Sequence, residues 1–223
     1  MQGIASNLAR VIGTLPQGVR LVAVSKFHPA ERVRAAYDAG QRLFGESRVQ
    51  ELLAKQPQLP SDIQWHFIGH LQTNKVRQLI GRVSLIESVD SEKLLNLIDT
   101  ESEKAGVVSR VLMQLHVAKE ETKFGFSPDE LMAYFRDRRF ESLKATHICG
   151  LMGMASNTDD TDRIRRVFTA IADCFNSLRA DASLGLRGFD TLSMGMSDDR
   201  DIAIDCGSNL VRVGTAIFGA REY

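Results

Sequence analysis

The chain reads as an α/β protein of the closed (β/α)8 barrel class, and three observations lead there. Short apolar, β-branched runs recur eight times along the 223 residues, a polar or glycine-bearing turn follows each, and segments with helical periodicity separate one run from the next. Strands alternating with helices imply parallel βαβ units, and eight such units fit a closed barrel better than an open sheet. The length lies slightly below the ~250 residues typical of the class, so the barrel is expected to occupy residues 1–223 as a single domain.

The elements follow in order. MQGIASNLARVIG at the start is amphipathic and carries neither a signal-peptide core nor a cleavage site. LVAVS from Leu21 is the first expected strand. Pro29 and Gly40 then bracket AERVRAAYDA in the order that helices prefer, proline at the start and glycine after the end. RLFGE from Arg42, WHFIG from Trp65, SLIESV from Ser84 and RVLMQLHV from Arg110 supply four more strands, with QPQLPSD ending at Asp62 read as a loop. In SPDELMAYF, Ser127 and Glu130 stand at capping-box spacing with Pro128 at the first helical position. HICGLMG from His147 is the sixth strand. The longest helix, from about Thr161 to Ala182, puts Ile164, Val167, Phe168, Ile171, Phe175 and Leu178 on one face. TLSMGM from Thr191 and LVRVGTAIFG from Leu210 complete the eight.

Composition removes several function classes. Lysine plus arginine equals aspartate plus glutamate at 28 each, which leaves no strong net field for nucleic acid or an anionic membrane. The basic run RDRRF at Arg136 to Phe140 is then a solvated helix end. No apolar run approaches the ~18 residues of a membrane span, and a cytoplasmic protein is expected. Cys149, Cys174 and Cys206 are too far apart for a disulfide framework or a metal-ligand spacing and read as small apolar residues.

Barrels of this class build their sites at the C-terminal ends of the strands. Lys26 ends the first run, and lysine is rarely buried unless it is paired or does chemistry. Gly45 and Glu46, His66 and His70, Asp90, Met152, Ser193 and Ser197, and Gly214 and Thr215 close later runs and are expected on the same rim. His66 and His70 do not form a metal pair, because residues four apart on a strand lie about 13 Å from one another.

The last two loops, SMGMSDD and GTAIFG, have the composition of the phosphate pocket that barrels often build after strands seven and eight: glycines for close backbone approach, hydroxyls as further donors. Arg212 shares a strand face with Leu210 and Gly214, and an inward arginine needs an acceptor. A strand-end lysine, a phosphate pocket across the mouth and an arginine between them match a pyridoxal phosphate site, in which lysine forms a Schiff base with the aldehyde. A Schiff-base aldolase acting on a sugar phosphate, without cofactor, is the other reading of the same residues.

These residues carry a resemblance. The chain resembles the pyridoxal phosphate homeostasis family over almost its whole length, through VAVSK at Val22 to Lys26, FGE and VQE at Phe44 to Glu51, WHFIGHLQTNK at Trp65 to Lys75 and SVDS at Ser88 to Ser91. KFGF at Lys123 to Phe126, GLM at Gly150 to Met152, LSMGMSDD at Leu192 to Asp199 and VRVGTAIFGAR at Val211 to Arg221 extend it. The resemblance implies a single TIM barrel of pyridoxal phosphate fold-type III without a second β-domain, with Lys26 as the Schiff-base residue. It further implies that Ser197 and the backbone amides of Gly214 and Thr215 hold the phosphate, that Ser193 belongs to the same shell, and that Arg212 faces the pyridine nitrogen. Ser47 and Asn209 stand where the family usually has asparagine and threonine.

An arginine opposite the ring nitrogen cannot give up its proton, so the ring stays a poor electron sink. Racemases of the same fold type bring a tyrosine from an added domain as second base, whereas the tyrosines here are Tyr37 and Tyr134 on expected helices and Tyr223 at the end. The expectation is therefore a monomeric protein that binds, buffers and delivers pyridoxal 5′-phosphate to client enzymes, with an amino-acid racemase as the alternative.

Overall fold

A computed structural model of the chain describes residues 2–117, 124–155 and 158–220. Eight parallel strands close on themselves in chain order: β1 (Arg20–Val24), β2 (Leu43–Glu46), β3 (Gln64–Phe67), β4 (Leu85–Val89), β5 (Ser109–Leu115), β6 (Thr146–Gly153), β7 (Thr191–Ser193) and β8 (Leu210–Val213). The ring shuts where Leu210 pairs with Arg20 and Arg212 with Val22. Around it lie α1 (Gln2–Gly13), α2 (Ala30–Asp38), α3 (Val49–Lys55), α4 (Val76–Leu79), α5 (Glu92–Ala105), α6 (Pro128–Arg136), α7 (Thr161–Ala180), α8 (Arg200–Asp205) and α9 (Thr215–Phe218).

The expected barrel is therefore the observed one, and its local signals behave as read. Ser127 accepts from the Glu130 N–H at 3.2 Å while Glu130 Oε2 accepts from the Ser127 N–H at 2.8 Å, which satisfies two donors that the start of α6 would otherwise leave orphaned. The six apolar residues expected on one face of α7 are all buried, each contributing roughly 1.5–3 kcal/mol by leaving water.

Strand alternation divides the apolar residues into two cores. Ala23, Phe44, Trp65, Phe67, Ile86, Val111, Leu151 and Val211 face outward against the helices, and Val22, Leu85, Leu112, Cys149, Met152 and Leu210 fill the bore. Register shifts interrupt this order between β4 and β5 and again between β5 and β6, where Val111 pairs with Ile148 but Leu112 pairs with Gly150. Gly150 has φ 148°, and a Cβ there would lie 1.8 Å from the Thr191 carbonyl oxygen, so only glycine fits the shift.

Several strands end earlier than the sequence expectation, and three of those boundaries shape the mouth. β1 stops at Val24, which leaves Lys26 two residues beyond it in a turn closed by the His28 N–H and the Ser25 carbonyl at 3.1 Å. β7 is three residues long because Gly195, at φ 91°, takes the chain off the extended path. β8 ends at Val213, and the TAIF that follows Gly214 is helix, not strand. A short 3-10 turn, Gln56–Gln58, also lies within the expected loop before β3. Among the described residues no helix is long and apolar enough to cross a membrane, and no cluster of His, Cys, Asp and Glu could hold a metal ion.

Candidate functional site

The bore is apolar at one level and ionic at the next. Arg212 follows Leu210 on the inner face of β8 and lies next to Val22 of β1. It is 3% exposed, and its acceptors are the Ser193 carbonyl at 3.0 Å, the Gly153 carbonyl at 2.9 Å and the Ser193 hydroxyl. Glu87, on the inner face of β4, supplies the counter-charge at 3.5 Å. Its other contacts are the Ser193 hydroxyl, which donates to Oε2 at 2.6 Å, and His66, whose Nδ1 meets Oε1 at 2.6 Å. An ionised carboxylate can only accept, so Nδ1 of His66 carries the proton. Burial pushes the Glu87 carboxyl up, but the His66 bond, the Arg212 charge and the Ser193 hydroxyl outweigh it and hold the group below its ordinary value. Arg212 is thereby a fixed cation with its acceptors in place.

The segment that follows β7 is bonded to β8 and to Ser208, which precedes β8. The Arg212 N–H donates to the Gly195 carbonyl at 3.0 Å, and Ser208, 3% exposed, accepts from the Met194 N–H at 3.1 Å while its hydroxyl faces the carbonyls of Leu192, Met194 and Leu210. Ser197 is half-buried in the turn before α8. Gly214 packs against the end of β1, where a Cβ would lie 3.2 Å from the Val24 carbonyl oxygen, and Thr215 opens α9. Asn7 of α1 donates to the Ile217 carbonyl at 3.2 Å, Arg32 of α2 donates to that of Phe218 at 2.5 Å, and His28 stacks on Phe218 at 5.2 Å. The far end of α9 is thus anchored, and its first amides are left without helical acceptors.

A second ionic cluster lies on the other side of the sheet. Glu46 was expected on the rim with Gly45, but Gly45 faces the bore, against Val22, and Glu46 therefore faces the helices. There Lys55 of α3 donates to Glu46 Oε1 at 2.7 Å, Glu51 Oε1 at 2.7 Å and the Ser25 carbonyl at 2.9 Å. The Ser25 hydroxyl adds a bond to Glu46 Oε1 at 2.6 Å, while Oε2 of Glu46 is buried without a partner. Burial dominates and pushes the Glu46 carboxyl up to about 7.

The residues expected at the mouth fall into groups. Arg212 and Ser193 touch, Gly214 abuts the strand that leads to Lys26, and the segment carrying Ser197 is bonded to Arg212 two residues before it. His66 belongs to the inner network, whereas His70 is partly exposed, pairs with Asp90 at 2.8 Å and stacks on Phe124 at 3.8 Å. Lys123, Arg221 and Tyr223 lie outside the described residues. Asn209 lies at the opposite end of the barrel, where it donates to the Asp190 carbonyl at 2.6 Å and accepts from the Leu192 N–H at 2.9 Å. Sequence reading missed Glu87, Lys55 and Glu51. The signal for Glu87 was an acid in the middle of the apolar run LIESV; that for the other two was an i,i+4 pair on a helix following a strand-end acid.

The family model described as alanine racemase, N-terminal domain, matches residues 1–222. The pyridoxal phosphate homeostasis protein of Aquifex aeolicus is 38% identical over 205 residues, which cover 92% of this chain and 88% of that one. The protein of the same name from Pseudomonas aeruginosa is 38% identical over 100% of this chain and 98% of its own. Among solved structures, PipY of Synechococcus elongatus with PLP bound has a TM-score of 0.89 at 36% identity, covering 97% of this chain and all of that chain (100%). Alanine racemase of Clostridium difficile shares the fold, with a TM-score of 0.79 at 14% identity over 100% of this chain and 61% of its own.

Proposed function

The chain belongs to the pyridoxal phosphate homeostasis protein family, built on the barrel of the alanine racemase N-terminal domain, and we propose that it binds pyridoxal 5′-phosphate in the barrel mouth for intracellular homeostasis, not for turnover. The observation that carries this reading is the donor set. A half-buried serine, a bare glycine packed on β1 and the amide end of α9 offer neutral donors to a phosphate, while a charge-balanced arginine lies deeper in the bore. Those residues fit the cofactor at both its ends.

Pyridoxal phosphate supplies an aldehyde that condenses with an amine, and a ring whose nitrogen withdraws electrons when it is protonated. In this reading Lys26 offers the amine, Ser197 with the amides of Gly214 and Thr215 orients the phosphate, and Arg212 faces the ring nitrogen. Ser193 acts one step behind, because its hydroxyl already joins Glu87 to Arg212. With Glu87 ionised beside it Arg212 keeps its proton, so the ring nitrogen receives a hydrogen bond but no proton. That arrangement suits holding the cofactor better than stabilising a carbanion.

The two tyrosines among the described residues support the same choice. Tyr37 donates to Asp62 at 2.7 Å, and that bond raises its pKa; Tyr134 is buried in α6, which raises its own. Neither is suited to be the second base of a racemase. A monomer that serves client enzymes in the cytoplasm completes the proposal.

The test is borohydride reduction of purified protein followed by peptide mass mapping, with a parallel incubation of unreduced protein with L- and D-amino acids in heavy water. One phosphopyridoxyl group on Lys26 is expected, with α-proton exchange no faster than free pyridoxal phosphate gives. Modification of a different lysine would sink the site. Turnover on the order of 1 s⁻¹ for any amino acid would replace the carrier with a racemase.

A further inference from the structure

The turn that presents Lys26 is gripped from outside the barrel. Ser25 and His28 close it, which puts Lys26 and Phe27 in its two central positions. Phe27 has φ 67°, a left-handed conformation that an aromatic side chain adopts only when its surroundings impose it. Glu51 is bonded there: its Oε1 accepts the Phe27 N–H at 2.6 Å and the Lys55 ammonium at 2.7 Å. Arg48 covers the Phe27 ring, 4.7 Å from its centroid. On the other flank the same ammonium takes the Ser25 carbonyl at 2.9 Å. All three protons of Lys55, itself 5% exposed, are engaged, the third by Glu46. Apolar side chains of similar volume would pack this layer at least as stably as buried charges do. What they could not do is bond the two peptide groups on either side of Lys26.

We infer that Lys55 and Glu51 are positioning residues for Lys26, fixing the backbone before and after it so that its amine is presented to the mouth. This rests on the reading of Lys26 as the covalent anchor. Without the grip Phe27 can relax to negative φ, which rotates the peptide joining it to Lys26. A misplacement of about 1 Å is enough to slow a reaction between held groups by up to ~100-fold.

The test uses the full chain freed of cofactor, as wild type, Glu51→Ala and Glu51→Gln. Glu51 is the residue to change because Lys55 keeps Glu46 as its partner, and glutamine keeps an oxygen for the Phe27 N–H. Each protein is treated with pyridoxal, whose aldehyde condenses with the amine and releases water, and the imine is trapped by borohydride and mapped over time. Affinity for pyridoxine 5′-phosphate, which has no aldehyde, is measured alongside. Expected are Lys26 trapping slowed about tenfold or more in Glu51→Ala, recovery to within about threefold in Glu51→Gln, and pyridoxine 5′-phosphate affinity within about twofold throughout. Equal trapping rates in all three proteins would overturn the inference while leaving the anchor assignment intact. Parallel loss of trapping and of pyridoxine 5′-phosphate affinity would reduce the cluster to a structural staple and overturn it too. Wild-type trapping on another lysine would defeat the anchor assignment, and this inference with it.

Discussion

Glu46 and Glu87 are both wholly buried, both sit on barrel strands and both face a cation, yet one carboxyl is pushed up to about 7 and the other held below its ordinary value. Burial acts on each in the same direction, so the difference lies in how the oxygens are served. Glu87 has His66 on Oε1 and Ser193 and Arg212 at Oε2. Glu46 gathers Ser25 and Lys55 on Oε1 alone, shares that ammonium with Glu51 and leaves Oε2 unmet. A buried carboxylate is settled by donors on both oxygens more than by the presence of a positive charge. The inner cluster favours its ion pair; the outer one lies near the point of taking up a proton.

The largest test of this contrast is charge removal in the bore. Glu87→Gln leaves Arg212 buried without its counter-ion, and a stability loss of about 3–5 kcal/mol in urea denaturation is expected. A loss below about 1 kcal/mol would mean that the carbonyls of Ser193 and Gly153 satisfy Arg212 unaided.

Next in size is the pH dependence, where the two clusters pull in opposite directions. Glu46 has a folded pKa above its ordinary 4.5, so its stabilising contribution is complete below about 4.5 and is lost as pH rises through about 7, a difference of roughly 3 kcal/mol. Glu87, with its folded pKa lowered, contributes above its ordinary 4.5 and loses that contribution as pH falls through the folded value. Denaturation midpoints followed from pH 4 to pH 8 should therefore decline less steeply toward neutrality in Glu46→Gln than in wild type. An unchanged slope would show that Glu46 is ionised throughout and that the comparison fails.

The smallest test removes one hydroxyl from each cluster. Ser193→Ala takes a charge-assisted donor from Glu87 and an acceptor from Arg212, and should cost about 1.5–3 kcal/mol; Ser25→Ala, which removes a donor from a carboxyl already near neutrality, should cost about 1 kcal/mol. Equal losses would place the two carboxylates in the same state.

Much of this architecture was legible in the chain. The face of α7 and the placement of Arg212 on the inner side of β8 follow from periods of 3.6 and 2 that packing did not disturb, and the cap of α6 from the capping-box spacing of Ser127 and Glu130. Misreadings cluster where the backbone leaves those periods. Positive φ at Phe27 (67°), just after Lys26, and at Gly195 (91°), just beyond Ser193, takes the chain off the extended path in ways that β-branched patterning does not announce. Glu46 was misplaced by treating the end of a strand as the rim, when its parity with Phe44, two residues before, assigns it to the helix side.

The sequence by itself determined the barrel, its order and the residue types available at the mouth, since each depends on local propensity and repetition. Only the tertiary structure decided which buried charges are satisfied. Glu87 and Ser193 are 106 positions apart, and Arg212 reaches a carbonyl 59 positions away. Such partners meet because eight strands close around one bore, and no local pattern in the chain records which side chains that closure will bring face to face.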